Sequence, residues 1–99
     1  MQKEILESIK KLVPGENFYE GIDIALGVEH FSTEMTARMI QKVHEGFSGW
    51  NNAEEPDEDV IWRLLGKAAL AQAGRATEKD LVDIANLAMI LWTRRRARE

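Results

Sequence analysis

Two polar residues interrupt the most apolar stretch of the chain, and a third stands just before it. In DLVDIANLAMILW, residues 80–92, Asp80, Asp83 and Asn86 stand three apart among leucines, isoleucines and alanines. A spacing of three places Asp80 and Asp83 on one face of a helix. Two carboxylates so placed can share a hard divalent ion such as Mg²⁺, which prefers oxygen ligands, keeps several waters and commonly meets phosphate oxygens. Glu34 is the acid that could join them from elsewhere in the chain. A second reading needs no ion. Asp80 serves as the acid of a capping box with Thr77, Asp83 lies near a helix N-terminus where the dipole favours negative charge, and Asn86 bonds a backbone carbonyl. The spacing alone leaves both readings open. Either way, a carboxylate in so oily a helix requires a partner, because burying it alone costs several kcal/mol.

Other residues of the chain could suit a phosphorylated ligand. Trp50, which follows glycine in GFSGW, offers a ring that could stack on a base or plug the surface. The run RRRAR at 94–98 brings Arg94 and Arg95, whose guanidinium groups suit phosphate; a solvated tail complementing a helix C-terminus explains them equally well. His30 and Glu34 are four apart, but a helix boundary at Phe31-Ser32 is expected to separate them. EEPDED at 54–59 lacks the glycine-bearing pattern of a calcium loop and reads as a solvated approach to a helix. No P-loop or activated nucleophile is recognisable.

Helical elements must position these groups, since apolar residues recur at helical spacing and no stretch alternates as a strand does. Ile5, Leu6, Ile9, Leu12 and Val13 form the face of a first helix, stopped by Pro14-Gly15. Phe18, Tyr19, Ile22, Ala25 and Leu26 mark a short second segment, weakened by Gly21 and Gly27. Ser32 is expected to cap a third helix with the stripe Met35, Met39, Ile40 and Val43, leaving at EGFSG. Val60, Ile61, Leu64, Leu65, Ala68 and Ala69 define the buried face of the next helix, and Gly74 ends it. Thr77 and Asp80 then open the last one. Trp62 and Trp92 are expected in the core or at a subunit contact, and the methionines as core filling. The expectation is an all-α bundle of four or five helices forming one domain over 1–99, completed by homo-oligomerisation because the last helix is apolar nearly all round.

Composition narrows the classes. With 44% hydrophobic and 30% charged residues, the chain is that of a folded domain. The absence of cysteine excludes disulfides and thiolate metal sites. A formal charge of −4 argues against coating nucleic acid. The charged start, MQKEILESIKK, is unlike a signal peptide, and the apolar run at 81–92 is too short to span a bilayer, so a cytoplasmic, membrane-free protein is expected.

GFSGWNN at 46–52, followed after a helix by DLVDIANLAMIL at 80–91, resembles the MazG-like superfamily of all-α nucleoside triphosphate pyrophosphohydrolases, in its short phage and prophage form. Lys42, Gly49 and Trp50 match that family's lysine-bearing helix and Gly-Gly-Trp-like turn, Asp80-Leu81-Val82-Asp83 its ExxD segment, and DIANLAM its D-V-A-N-F-A-M continuation. The resemblance runs from about Ser32 to Trp92. It implies a nucleotide ligand, Mg²⁺ as cofactor, Asp80 and Asp83 as metal ligands, and, if phage-encoded, the host cytoplasm. One departure matters. The family's EExxE motif, source of most metal ligands, falls on the helix VIWRLLGKAALAQAG, which carries Gly66, Lys67 and alanines instead. Lysine there repels a metal ion.

Three functions follow as expectations. The first is a nucleotide-binding protein with weak or absent pyrophosphohydrolase activity, holding a mono- or cyclic nucleotide through Lys42, Trp50, Asn86, Arg94 and Arg95. The second is a hydrolase whose metal site is rebuilt from Asp80, Asp83 and Glu34. The third is a non-catalytic helical interaction module.

Overall fold

The computed structural model describes residues 2–12 and 15–99, with Glu16 by its backbone alone. Val13 and Pro14, expected at the end of the first helix, lie outside the described residues. Among the described residues the chain is all-α, with no strand: α1 (Lys3–Leu12), a 3-10 turn (Gly15–Asn17), α2 (Phe18–His44), α3 (Glu58–Gln72) and α4 (Glu78–Ala97). No helix among them is long and apolar enough to cross a membrane. The residues divide into two compact units, Met1–Glu34 and Met35–Glu99.

In the first unit Ile9, Gly21 and Ala25 are buried, whereas Leu12, expected on the apolar face, is exposed. The expected break at Phe31-Ser32 does not occur, and α2 runs unbroken from Phe18 to His44. Ser32 therefore does not cap a helix. Its hydroxyl donates to the Val28 carbonyl at 2.7 Å, and that of Thr33 donates to the Glu29 carbonyl at 3.0 Å. A hydroxyl satisfied one turn back inside a helix has no need to start one. His30 and Glu34 consequently lie on one continuous helix, both exposed.

The second unit contains the last turns of α2, the connection to α3, and the α3–α4 hairpin. α2 ends in a Schellman arrangement: the Phe47 N–H reaches the Lys42 carbonyl at 2.9 Å and the Gly46 N–H reaches that of Val43 at 3.0 Å. Gly46 makes this possible with φ at +102°, which a side chain would resist. α3 ends the same way, from Gly74 to Ala71 and from Arg75 to Leu70. Thr77 and Asp80 form the expected capping box, with both reciprocal bonds present.

The faces turned inward differ from those expected. From Met35 onward the half-buried positions of α2 are Met35, Arg38, Met39 and Lys42, while Ile40 and Val43 are 65% and 53% exposed. On α3 they are Val60, Leu64 and Lys67, with Asp57 one turn before Val60; Ile61, Leu65, Ala68 and Ala69 face outward. On α4 the buried residues are Asp83, Asn86, Ile90 and Arg94, a single face by their spacing of three and four. Three of those four are polar. Trp62 and Trp92, expected in a core or contact, are exposed in this chain.

Candidate functional site

The inward faces of α2, α3 and α4 within Met35–Glu99 enclose a cleft of about 460 Å³. That volume falls in the range of small-ligand sites, about 300–1,000 Å³. Its walls are Met39, Phe47, Leu87 and Ile90, and its charged lining comprises Arg38, Lys42, Arg63 and Lys67 against Asp83 and Glu45. Asn86 also lines it.

The helix positions explain how the charges meet. Arg38 follows Met35 by three on the inner face of α2, and its Nε donates to Asp83 Oδ1 at 2.9 Å. Nη1 of the same guanidinium donates to Gln41 at 3.0 Å. Lys67 reaches from α3: its ammonium donates to Asp80 Oδ1 at 2.6 Å and stands 3.4 Å from Asp83 Oδ2. Burial would push the Asp83 carboxyl up, but the Arg38 hydrogen bond and charge, followed by those of Lys67, hold it below its ordinary value. The Lys67 bond, aided by the Thr77 backbone and hydroxyl, lowers Asp80 to about 2. Asp80 in turn raises Lys67 and keeps it charged. Asn86 Nδ2 donates to the Met35 carbonyl at 3.1 Å, across to α2. Its Oδ1 is buried and meets no donor among the described residues. A buried amide oxygen left without a donor costs about 1–3 kcal/mol, so this one calls for an N–H or O–H from outside the described atoms.

The residues expected to bind a ligand thus separate into two groups. Lys42 and Asn86 line the cleft, as does Asp83, with Asp80 bound to it through Lys67. Trp50, Arg94 and Arg95 do not line it. Arg94 is 5% exposed, so it is not part of a solvated tail. Its Nε donates to the Trp50 carbonyl at 2.9 Å, Nη2 to Gly49 at 3.3 Å and Nη1 to Pro56 at 3.2 Å, with Asp57 at 3.4 Å. Arg98 completes the clamp, donating to the carbonyls of Ala53 and Glu55 and to both Asp57 oxygens. Asp57, at the N-cap position of α3, makes no side-chain cap bond there. Its carboxylate faces the two arginines instead, and the Arg98 bond holds it below its ordinary pKa. The acidic loop is therefore organised at its centre and not merely solvated. Arg95 is exposed, and Arg96 stacks over the Trp92 ring at 4.8 Å.

The donor set does not suit a divalent ion. An ammonium already stands between the two carboxylates, and Mg²⁺ entering there would meet its charge at close range. Among the described residues no group of three or more His, Cys, Asp or Glu side chains could hold a metal, and Glu34 is an exposed residue of the other unit.

Arg38 was not legible as a site residue in the sequence. The available signal was its place between Met35 and Met39, three and one residues away, inside an apolar stripe. Lys67 was legible as an obstacle to metal but not as the partner of both aspartates. Compared with protein-family models, with curated proteins and with solved structures, the chain finds no match in any of the three. The class defined by the structure is an all-α chain with a cation-lined cleft between the last turns of α2, α3 and α4 within Met35–Glu99.

Proposed function

We propose that this chain is a MazG-like nucleotide-binding protein that holds its ligand without hydrolysing it. The observation carrying this reading is the cleft itself, where four cationic side chains surround apolar walls. Phosphate would meet Lys42, Arg63 and the spare N–H groups of Arg38 and Lys67. A base would lie against Met39, Phe47 and Leu87. Hydrolysis in this family needs ions to activate water, and the aspartates that would hold them are engaged by lysine and arginine. Calorimetric titration with nucleoside monophosphates, triphosphates and cyclic nucleotides, each in EDTA and in Mg²⁺, tests the reading. Binding by at least one, weakened by Lys42→Glu, is the expected result; no binding across the panel overturns it.

A second reading, a helical interaction module, is favoured by a different observation. Ile61, Trp62, Leu65, Leu81 and Trp92 are large, apolar and exposed on α3 and α4. A homo-oligomer would cover them. Sedimentation of the chain and of Trp62→Glu distinguishes the two: a monomer in both cases removes this reading while leaving the first intact.

A further inference from the structure

We infer that the cleft takes a phosphate ester carrying no divalent ion, because Lys67, seated between Asp80 and Asp83 with Arg38 beside them, supplies the cationic charge that a metal would otherwise bring. This rests on the nucleotide reading above and narrows it to nucleoside monophosphates and cyclic phosphodiesters.

Lys67 occupies the position between the two carboxylates. Its ammonium bonds Asp80 Oδ1 at 2.6 Å and stands 3.4 Å from Asp83 Oδ2, bridging the two carboxylates as an ion would. An ammonium has three N–H groups, so one is left for a ligand in the cleft that Lys67 lines. Arg38 has five, and its contacts to Asp83 and Gln41 leave further donors on the same lining. The two carboxylates orient these cations, and the bond from Asp80 keeps Lys67 protonated through the neutral range. Lys42 adds a further charge from α2.

The consequence is a reversed dependence on Mg²⁺. A triphosphate in Mg²⁺ arrives with an ion and its ordered waters between its phosphate oxygens, and that ion would face Lys67 and Arg38. A monophosphate or cyclic phosphodiester binds Mg²⁺ weakly and presents bare oxygens to the same donors. The structural signature is a lysine where a divalent ion would need a carboxylate.

The test uses the full chain and the adenine, guanine, cytosine and uracil monophosphates, 3′,5′-cyclic monophosphates and triphosphates, titrated in EDTA and then in Mg²⁺. The expected result is that affinity for monophosphates or cyclic nucleotides changes by less than about twofold on adding Mg²⁺, while any triphosphate binding weakens. Binding that appears only with Mg²⁺, or tightens about tenfold with it, overturns the inference and leaves the nucleotide reading standing. No binding in either condition overturns both. Two variants add an independent readout by Mn²⁺ electron paramagnetic resonance, without nucleotide, on protein whose helicity is checked by circular dichroism. Lys67→Glu is expected to gain Mn²⁺ binding that the wild type lacks, and Lys67→Arg to remain without it. Mn²⁺ binding by the wild type as tight as by Lys67→Glu overturns the inference.

Discussion

The two halves of α4 use the same chemistry to different ends. In the first half Asp80 and Asp83 meet Lys67 and Arg38, and the cations retain donors beside an open cleft. In the second half Arg94 meets three loop carbonyls and Asp57, and the group is sealed. The difference lies in what balances the charge. Carboxylates anchored on the helix hold the cations at the cleft, so the cations retain spare hydrogens. Backbone carbonyls of an irregular connection absorb Arg94, which leaves little for a ligand. Buried charge in this helix is sealed against a loop at one end and borders a cleft at the other.

Breaking the sealed end should cost most. Arg94→Ala leaves the carbonyls of Gly49, Trp50 and Pro56 without their donor and Asp57 without one of its two arginines. A loss of about 3–5 kcal/mol in urea unfolding is expected. Arg94→Lys should recover little of it, because an ammonium cannot reproduce the fork that spans four acceptors.

At the open end, Asp83→Asn should cost less, about 2–3 kcal/mol by the same measurement, since it strips charge from a carboxylate buried against Arg38 while Lys67 keeps Asp80. A loss equal to that of Arg94→Ala would erase the contrast between the two ends.

Asp80 is held at about 2 in the fold, below its ordinary 3.8. A lowered carboxylate stabilises the folded state above the ordinary value, and that stabilisation is lost as pH falls from about 4 towards about 2. Thermal unfolding followed across that window should therefore show a falling midpoint that Asp80→Asn flattens. Asp83 and Asp57, also lowered, keep some of the slope in that variant.

The smallest effect is expected at Asn86. Asn86→Leu removes the bond to Met35 but also removes the oxygen that has no donor. The two changes offset, and stability by chemical unfolding should stay within about 1 kcal/mol of the wild type. A much larger loss would mean that Oδ1 is satisfied by an ordered water.

What could be read in the sequence was what is local. Thr77 and Asp80 are three apart, and a capping box needs nothing more distant, so the start of α4 was legible to the residue. Gly46 and Gly74 marked their helix ends for the same reason. The helical class followed from spacing. The unbroken α2 did not, because Ser32 serves a cap and a mid-helix back-bond equally well, and the sequence does not say which carbonyl it finds. The inward faces failed more instructively. Apolar periodicity selected Ile40, Val43, Ile61 and Leu65, all exposed, while Arg38, Lys67 and Arg94 turned inward. Amphipathic reasoning assumes that charge faces water. Here each inward cation meets an acid or carbonyl on another segment, 45 residues away for Arg38 and Asp83, and no window along the chain contains that pairing.

The clamp on the connection between α2 and α3 also bears on how the chain would be cut. A protease needs several residues of freely extendable backbone, and the stretch from Gly49 to Asp57 has no helix to protect it. Its carbonyls are fastened to the last turns of α4 by Arg94 and Arg98. Digestion of this stretch should therefore wait on fraying at the far end of α4, so that nicking reports the integrity of the final helix.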